Sequence, residues 1–271
     1  PEDDYTCVPI TYGKAKCPIA PVKINGNSYP LELDLGSVNF LILDQNILQH
    51  TEKTSYGSTV WLDLKGNSYQ SARYLIPEIQ IGSISMSEVL ADEQQDSFFL
   101  ETSLVEGSSH RPLGSIGRPL LKRINLFLDF PHSQLILTNS TKRLKKGGAP
   151  LEAMTCVPFQ VTRAGLVLSI ETDLGSKNFM LDTGSTLTLI RSSLINHLNL
   201  QEKEEGLQAF SSSQFKMGGQ DFGSQDLYCF NLADELTEVD GVLGMDFMRT
   251  RQIYIDYPQQ IIYVGKASTN Q

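Results

Sequence analysis

Two aspartates occupy matching positions in the two halves of this 271-residue chain. Asp34 and Asp182 each follow an apolar run and stand two residues before a Gly-Ser pair. Two carboxyls held together in an apolar place cannot easily both ionise, so they share one proton and their pKa values separate. One carboxyl can then act as a base and the other as an acid on a water molecule between them. The two aspartates therefore indicate acid–base hydrolysis.

The residues after each aspartate are suited to hold such a pair. Gly36 and Gly184 allow a tight backbone turn and a close approach of the two loops. Ser37 and Ser185 can donate hydrogen bonds to the outer carboxyl oxygens, which favours the charged form and lowers the pKa of the carboxyls. This arrangement predicts activity at acidic pH.

An internal repeat must position the two aspartates. The matching segments are residues 6–10 and 155–159, 31–37 and 179–185, 114–121 and 241–248, and 129–131 and 256–258. Four matches in the same order indicate that the two halves are copies of one unit. If the copies pack around a pseudo-twofold axis, equivalent residues meet across it, and each half supplies one aspartate.

The offset between matching residues changes along the repeat. It is 148 at the aspartates and 127 at the glycine-rich segments, so the first half holds 21 more residues between these two matches. Something is therefore present in the first half that the second half lacks or has shortened.

Short alternating apolar runs with turn signals such as Asn25-Gly26 predict an all-β fold with few short helices. The repeat divides the chain into an N-terminal lobe at residues 1–140, a linker at 141–152 and a C-terminal lobe at 153–271. The linker is basic and ends in Gly and Pro, so we expect an exposed loop. A site for proteolytic processing is the alternative interpretation of its basic residues.

The residues around the second aspartate carry a family resemblance. Residues 182–185 read Asp-Thr-Gly-Ser behind Phe-Met-Leu, and a Val-Leu-Gly motif ends 59 residues after Ser185, at Gly244. This set, repeated over nearly the whole chain, resembles the aspartic proteases of the pepsin and retropepsin type. The resemblance implies a bilobal pepsin-like acid protease fold, in which each half resembles a retropepsin subunit and the monomer acts as a pseudo-dimer.

The resemblance also implies the activity and the roles of single residues. It implies an aspartic endopeptidase, sensitive to pepstatin-type inhibitors, that cleaves extended peptides with bulky apolar residues around the scissile bond. Asp34 and Asp182 would be catalytic, and Gly117 and Gly244 would be structural neighbours of the pair. Support of the active-site loops would come from Leu35, Gly36, Ser37, Thr183, Gly184 and Ser185.

Proteases of this type cover the bound peptide with a β-hairpin flap. Residues 60–75 of the first half alternate, turn and return, whereas the second half has only a short segment at 206–214. We therefore interpret the 21 additional residues as a flap on the N-terminal lobe alone. The candidate flap and substrate residues are Trp61, Gly66, Tyr69 and Tyr74.

Leu35 departs from the family pattern, which has Thr or Ser at this position. In the family two such hydroxyls hydrogen-bond across the loops and brace the pair, so only Thr183 can make its half of the brace here. A lost buried hydrogen bond costs about 1–3 kcal/mol, which apolar packing by Leu35 can offset. Both carboxyls remain, which favours an active enzyme. A catalytically silent peptide-binding or inhibitor protein on the same fold is the alternative.

Composition excludes other classes of function. The net charge of −9 argues against nucleic acid as a partner. No apolar run reaches the roughly 18 residues that a membrane-spanning helix needs. Zinc-type ligand spacing, phosphate-binding loops and the Gly-x-Ser-x-Gly motif of serine hydrolases are absent, so we expect no metal and no cofactor.

The cysteines leave the disulfide pattern and the location open. Cys7, Cys17, Cys156 and Cys229 allow three pairings or four free thiols. Four cysteines without metal spacing favour a secreted, periplasmic or vacuole-like location, with a cytosolic one as the alternative. The first four residues are polar, so we expect no signal peptide within this sequence.

Overall fold

The computed structural model describes residues 5–13, 15–94, 112–195, 198, 200–203 and 206–267. Within these ranges the chain forms 24 strands and four short α-helices. The predicted all-β class is therefore confirmed. No helix in this part of the chain is long and apolar enough to span a membrane.

An eight-stranded sheet carries the first aspartate. In hydrogen-bonded order its strands are β2 (Thr11–Tyr12), β3 (Pro18–Ile24), β4 (Asn27–Asp34), β9 (Gly114–Gly117), β5 (Leu41–Leu43), β8 (Ile84–Glu93), β7 (Ser68–Ile81) and β6 (Thr54–Leu62). β4 runs parallel to β9 and ends at Asp34, which lies opposite Gly117. Helix α1 (Gln45–Gln49) follows β5, and helix α2 (Arg118–Leu121) follows β9.

A second sheet repeats this arrangement around Asp182. In order its strands are β17 (Gln201–Glu202), β18 (Gln208–Ser212), β21 (Gln225–Phe230), β16 (Leu189–Arg191), β22 (Gly241–Leu243), β15 (Gly175–Leu181), β14 (Leu166–Thr172), β19 (Lys216–Met217) and β20 (Gln220–Asp221), with β13 (Gln160–Val161) beside β14. β15 runs parallel to β22 and ends directly before the aspartate. Helix α4 (Met245–Met248) follows β22, as α2 follows β9. Both aspartates therefore lie at the carboxyl end of a pair of adjacent parallel strands.

A third sheet joins the two halves. In order its strands are β1 (Tyr5–Pro9), β11 (Gln134–Thr138), β10 (Leu126–Asp129), β23 (Gln252–Asp256), β24 (Ile261–Val264) and β12 (Thr155–Pro158). At its centre β10 and β23 pair antiparallel, with Phe127 opposite Tyr254. These two residues are equivalent in the repeat, so the pseudo-twofold axis passes between them.

The strand that leads to Asp34 shows how the sequence sets the faces of the sheet. Leu31 and Leu33 on β4 are at most 1% exposed and pack in the core, whereas Glu32 and Asp34 are half-buried. Successive side chains of a strand point to opposite faces. Glu32 and Asp34 therefore share the face that is turned away from the core.

Residues 141–152 differ from the expected open loop. They contain helix α3 (Thr141–Lys146), which Ser140 caps by accepting a hydrogen bond from the Arg143 N–H. Leu144 is 1% exposed and packs with Phe127 and Tyr254. One apolar residue among basic ones is enough to anchor the segment under the six-stranded sheet, and the basic side chains remain at the surface.

The 21 additional residues of the first half fall into two places. Lys23 and Glu171 are equivalent residues of the repeat. Lys23 pairs with Gln80 on β7, and Glu171 pairs with Lys216 on β19. Gln80 and Lys216 are therefore also equivalent, and the offset between the two halves is 136 at this point. The offset falls from 148 to 136 before Gln80 and from 136 to 127 after it, so twelve additional residues belong to the region of the β6–β7 hairpin and nine lie between Gln80 and β9. The interpretation that all of them form a flap was therefore wrong. Most of the β8–β9 connection, at 95–111, lies outside the described residues.

All four cysteines are free thiols. Cys7 and Cys156 are exposed, Cys229 is half-buried and Cys17 is buried. Of the two alternatives that the sequence leaves open, the structure has the one without disulfides.

Candidate active site

Two loops bring Asp34 and Asp182 together at the pseudo-twofold axis. A Cβ atom placed on Gly36 would stand 2.5 Å from Cγ of Asp182, and one placed on Gly184 would stand 2.8 Å from Cγ of Asp34. Real Cβ atoms do not approach other carbons so closely, so any side chain here would displace the opposite aspartate. Each glycine thus leaves the space that the aspartate of the other half occupies.

Backbone N–H groups orient both carboxyls. Oδ1 of Asp182 accepts hydrogen bonds from the Gly184 N–H at 2.8 Å and from the Gly36 N–H at 3.2 Å. Oδ1 of Asp34 accepts from the Ser37 N–H at 2.9 Å. Asp182 is therefore held by donors from both loops, whereas Asp34 is held by a donor from its own loop.

The serine hydroxyls do not make the carboxyl contacts expected from the sequence. Oγ of Ser37 accepts from the Asn39 N–H at 3.2 Å, and Oγ of Ser185 donates to the Leu187 carbonyl at 2.8 Å. Each turn directs its hydroxyl toward a backbone group two residues on. The expected lowering of the carboxyl pKa values by these hydroxyls is therefore not found.

Thr183 links the two loops by two hydrogen bonds. Its hydroxyl donates to the Leu33 carbonyl at 2.5 Å and accepts from the Leu35 N–H at 3.0 Å. Leu35, at the equivalent position of the first half, is 1% exposed and belongs to the large core cluster. One half of the link is thus made by a hydroxyl, and its counterpart is made by apolar packing.

Gly117 and Gly244 lie behind the loops. A Cβ atom on either glycine would stand within 2.3 Å of a backbone oxygen of the adjacent loop. The residue after each glycine donates its N–H to the serine carbonyl of the same half, at 3.2 Å in the first half and 2.8 Å in the second. Both glycines therefore permit the contact between the parallel strands and the aspartate loops.

Burial dominates the electrostatics of the pair. Loss of water raises the pKa of both Asp34 and Asp182. The nearby charges of Asp182 and Glu32 raise the pKa of Asp34 further, whereas hydrogen bonds from Gly184 and Asp34 and the charge of Arg118 hold the pKa of Asp182 down. These neighbours therefore favour the proton on Asp34 and the negative charge on Asp182.

A cavity of about 640 Å³ opens over the two aspartates. Its walls come from both halves and are largely apolar, with Ile42, Trp61 and Tyr69 on one side and Met180, Phe230 and Leu236 on the other. A cavity of this size holds several side chains of an extended peptide.

The β6–β7 hairpin covers this cavity. Trp61 and Tyr69 stack with their ring centroids 4.6 Å apart, and both line the cavity. Gly66, at the tip of the hairpin, has a φ of +85°, which favours glycine, and its Cα faces Ala233 of the second half. The Leu64 carbonyl accepts a hydrogen bond from the Ala233 N–H at 2.8 Å, so the hairpin spans the cleft and contacts the opposite half.

Tyr74 does not belong to this arrangement. It lies on the part of β7 away from the cavity, and its hydroxyl donates to Glu93 at 3.4 Å. Lys53 stands over its ring at 5.5 Å. The sequence grouped Tyr74 with Trp61 and Tyr69 because all three lie on the same hairpin, but the hairpin is long enough that only part of it reaches the cleft.

Three residues near the pair were not predicted from the sequence. Glu32 shares a face of β4 with Asp34, and Cys17 and Arg118 are buried beside the aspartates. Nη2 of Arg118 donates to the Arg163 carbonyl at 3.3 Å, while Nη1 has no partner within the described residues. For Glu32 the sequence held one signal, because an acidic residue inside an apolar strand stands two positions before the aspartate.

Comparison with known proteins finds similarity in structure alone. No protein-family model matches the sequence, and no curated protein matches it. The fold is similar to the crystal structure of an aspartic proteinase from Irpex lacteus, with a TM-score of 0.64 over 98% of both chains and 15% sequence identity. The predicted bilobal pepsin-like fold is therefore confirmed.

Proposed function

We propose that this chain is an aspartic endopeptidase that hydrolyses peptide bonds with a water molecule held between Asp34 and Asp182. The observation that carries the proposal is the mutual contact of the two aspartates with the loop glycines of the opposite halves, at the floor of an apolar cleft. The similarity in fold to an aspartic proteinase supports it.

The environments of the two carboxyls suggest how they divide the chemistry. Asp182, the more acidic of the two, accepts a proton from the water, whose oxygen bonds to the carbonyl carbon of the peptide. Asp34 donates its proton to the carbonyl oxygen, which gives a tetrahedral diol. Asp182 then gives its proton to the peptide nitrogen, the C–N bond breaks, and one hydroxyl of the diol returns its proton to Asp34, so the carboxyl pair again holds one proton as at the start.

This mechanism needs one proton on the pair. Because burial raises the pKa of both aspartates, the singly protonated pair persists above the ordinary carboxyl pKa of 3.8. We propose an acidic optimum with activity that extends toward neutral pH and falls once Asp34 loses its proton.

The remaining assignments follow from the same cleft. A peptide lies extended under the β6–β7 hairpin, with apolar residues against Trp61 and Tyr69 on one wall and Met180 and Phe230 on the other. The chain acts as a monomer whose lobes, divided at residues 140 and 153, resemble the two subunits of a dimer. A pepstatin-type inhibitor competes for this cleft.

Replacement of either aspartate tests the assignment. We expect Asp182→Asn and Asp34→Asn each to lower the rate of peptide cleavage by at least about a thousandfold, because neither carboxyl can do the work of both. The measurement is cleavage of a mixed peptide library at several pH values, with and without a pepstatin-type inhibitor. Full activity in either variant would exclude the pair as the catalytic group.

Leu35 is the observation that favours a second candidate function, which is a catalytically silent peptide-binding protein on the same fold. Because Leu35 has no hydroxyl, the link between the loops has one hydroxyl instead of two. Leu35 is nevertheless packed in the core, and Asp34 keeps its hydrogen bond from the Ser37 N–H. The same library separates the two candidates, since a silent relative binds peptides and releases them uncut at every pH.

A further inference from the structure

One arginine side chain holds a loop of the second half in place. Arg191 ends β16, and the loop at residues 231–240 connects β21 to β22. The loop forms neither helix nor strand, so its backbone groups need partners from elsewhere. The Arg191 guanidinium donates hydrogen bonds to four of its carbonyls, those of Leu236 at 2.7 Å, Leu232 at 3.0 Å, Val239 at 3.2 Å and Ala233 at 3.5 Å. A single side chain therefore joins the loop from one end to the other.

The guanidinium of Arg191 is suited to this role by its shape. It is planar and carries five N–H donors in a fixed fork, whereas the ammonium of a lysine has a single nitrogen. Leu232 and Val239 are at most 5% exposed, so water has little access to their carbonyls. Within the described part of the chain Arg191 forms no ion pair, so its donors are directed to this loop.

The 231–240 loop forms part of the wall of the cleft and also receives the hairpin. Ala233, Glu235 and Leu236 line the cavity over the aspartates. The Ala233 N–H donates to the Leu64 carbonyl at 2.8 Å. A Cβ atom on Gly66 would stand 3.3 Å from Cβ of Ala233 and 3.6 Å from Oε2 of Glu235. The position of this loop therefore decides where the tip of the β6–β7 hairpin closes.

The same contacts place the acidic side chains of the cavity. Asp63 accepts hydrogen bonds from the N–H groups of Lys65 at 2.9 Å and Asn67 at 2.8 Å, so it belongs to the turn of the hairpin. Glu235 belongs to the loop and faces the hairpin at Gly66. A displaced loop would move a carboxylate as well as apolar wall residues relative to the hairpin.

The first half has no arginine at the equivalent position. Leu43 ends β5 as Arg191 ends β16, and it is 0% exposed in the core. The fold thus accepts an apolar side chain at this position of the repeat. The arginine is found in the half whose loop receives the hairpin, and the leucine in the half that supplies the hairpin.

We propose that Arg191 is a positioning residue that fixes the 231–240 loop for closure of the β6–β7 hairpin and thereby sets the affinity of the cleft for its peptide. The inference rests on the proposed function of the cleft. Arg191 does not line the cavity, so it acts through the loop. Without its hydrogen bonds the loop and the hairpin tip lose their fixed arrangement, and peptide binding has to restore it. The aspartates are held by other loops, so we expect KM to change and kcat to be retained.

Amide hydrogen exchange and peptide cleavage of Arg191→Leu and Arg191→Lys test this role. In Arg191→Leu we expect exchange at residues 62–68 and at Ala233 to become at least about five times faster. For the peptide that the wild type cleaves fastest from a mixed library, KM should rise about tenfold while kcat stays within about threefold. Arg191→Lys should show smaller changes in the same direction, because one nitrogen cannot reach all the carbonyls.

Arg251→Leu is the matched control. Arg251 belongs to the same half and its guanidinium donates to the Phe247 carbonyl, away from the cavity. Its loss should lower the Tm and leave the exchange of the hairpin and KM as in the wild type. Thermal unfolding checks that each variant is folded, and if Arg191→Leu does not fold, the same criteria apply to Arg191→Lys.

Binding of the mixed peptide library to Asp182→Asn, with and without Arg191→Leu, separates this inference from the proposed function. Unchanged hairpin exchange in the Arg191 variant, equal acceleration in Arg251→Leu, or a lower kcat at unchanged KM overturns the role of Arg191, while cleavage by the wild type leaves the protease intact. Faster hairpin exchange and weaker peptide binding without any cleavage by the wild type support Arg191 and overturn the protease. Neither cleavage nor a change in hairpin exchange overturns both.

Discussion

At the scale of single residues, Thr183 and Leu35 show how two equivalent positions can hold one structure by different interactions. Thr183 uses its hydroxyl as donor and acceptor, at 2.5 and 3.0 Å. Leu35 is 1% exposed and packs in the core. The asymmetry places the hydrogen bonds of the link on the second half alone.

Removal of the Thr183 hydroxyl should therefore be more harmful than restoration of one at Leu35. Thr183→Val leaves the Leu33 carbonyl and the Leu35 N–H unpaired, and we expect a loss of about 1–3 kcal/mol in unfolding free energy together with a lower kcat. Thr183→Ser, which keeps the hydroxyl, is the matched control. Denaturant unfolding and peptide cleavage measure both effects, and equal behaviour of the two variants would contradict the role of the hydroxyl.

Leu35→Thr should lower stability without raising activity. The substitution removes apolar atoms from a closed core position, which costs about 1–3 kcal/mol, and the new hydroxyl has to find partners in a site that is already packed. The midpoint of denaturant unfolding gives the result. A variant that is as stable as the wild type and more active would mean that Leu35 is a defect of the link.

The single residues of the site differ in how readable they are from the sequence. Asp34 and Asp182 are predictable because the repeat marks both at once. Glu32 is not predictable as a residue of the site, because its place near the aspartates follows only once the structure shows which face of the sheet it shares with Asp34. The orientation of the Ser37 and Ser185 hydroxyls depends on turn geometry that residue types do not specify.

At the scale of elements, the β6–β7 hairpin joins the two halves across the cleft. Its tip contacts the second half through the hydrogen bond at Leu64, whose side chain packs against the apolar cluster of the second half that contains Leu232 and Val239. The alternation of residues 60–64 and the turn at Gly66 make such a hairpin predictable. The contact between the tip of the hairpin and the second half is not predictable from the sequence, since it joins segments about 170 residues apart.

Leu64→Ala should loosen the tip of the hairpin. The substitution removes roughly 1 kcal/mol of apolar contact with the second half, so we expect amide hydrogen exchange at residues 62–68 to become about five times faster. Val60→Ala is the control, because Val60 lies on the same hairpin but is 64% exposed. Exchange that is unchanged in the Leu64 variant, or equally faster in both, would show that Leu64 does not fasten the hairpin.

At the scale of the whole molecule, two lobes are predictable because four matched segments recur in order. The sheet that joins the lobes is less predictable, because its central strands, β10 and β23, are more than 100 residues apart in the sequence. The site lies beside this axis and gathers carboxyls from both halves, some half-buried and some buried. Burial raises the pKa of Glu32, Asp34, Asp182 and Asp246.

These carboxyls should make the folded chain less stable as the pH rises. A raised pKa means that the folded state binds a proton that the unfolded state has already lost, so stability is complete below the ordinary carboxyl pKa and declines above it. For Glu32 the decline runs from 4.5 to about 8, at no more than about 1.4 kcal/mol per pH unit. We expect the Tm to fall over this range and to fall less in Glu32→Gln. A Tm that rises with pH, or the same slope in both proteins, would contradict this linkage.

The pairing of β10 with β23 also affects how the chain is made. β10 ends at residue 129 and its partner begins at residue 252, so about 120 residues must be synthesised before the pair can form. At a translation rate of about 5–20 residues per second, the edge of β10 stays without its partner for roughly 6–25 seconds. An open strand edge is a place where another chain can add. The strand on which the two halves meet is thus also a place where nascent copies on neighbouring ribosomes are exposed to wrong pairing.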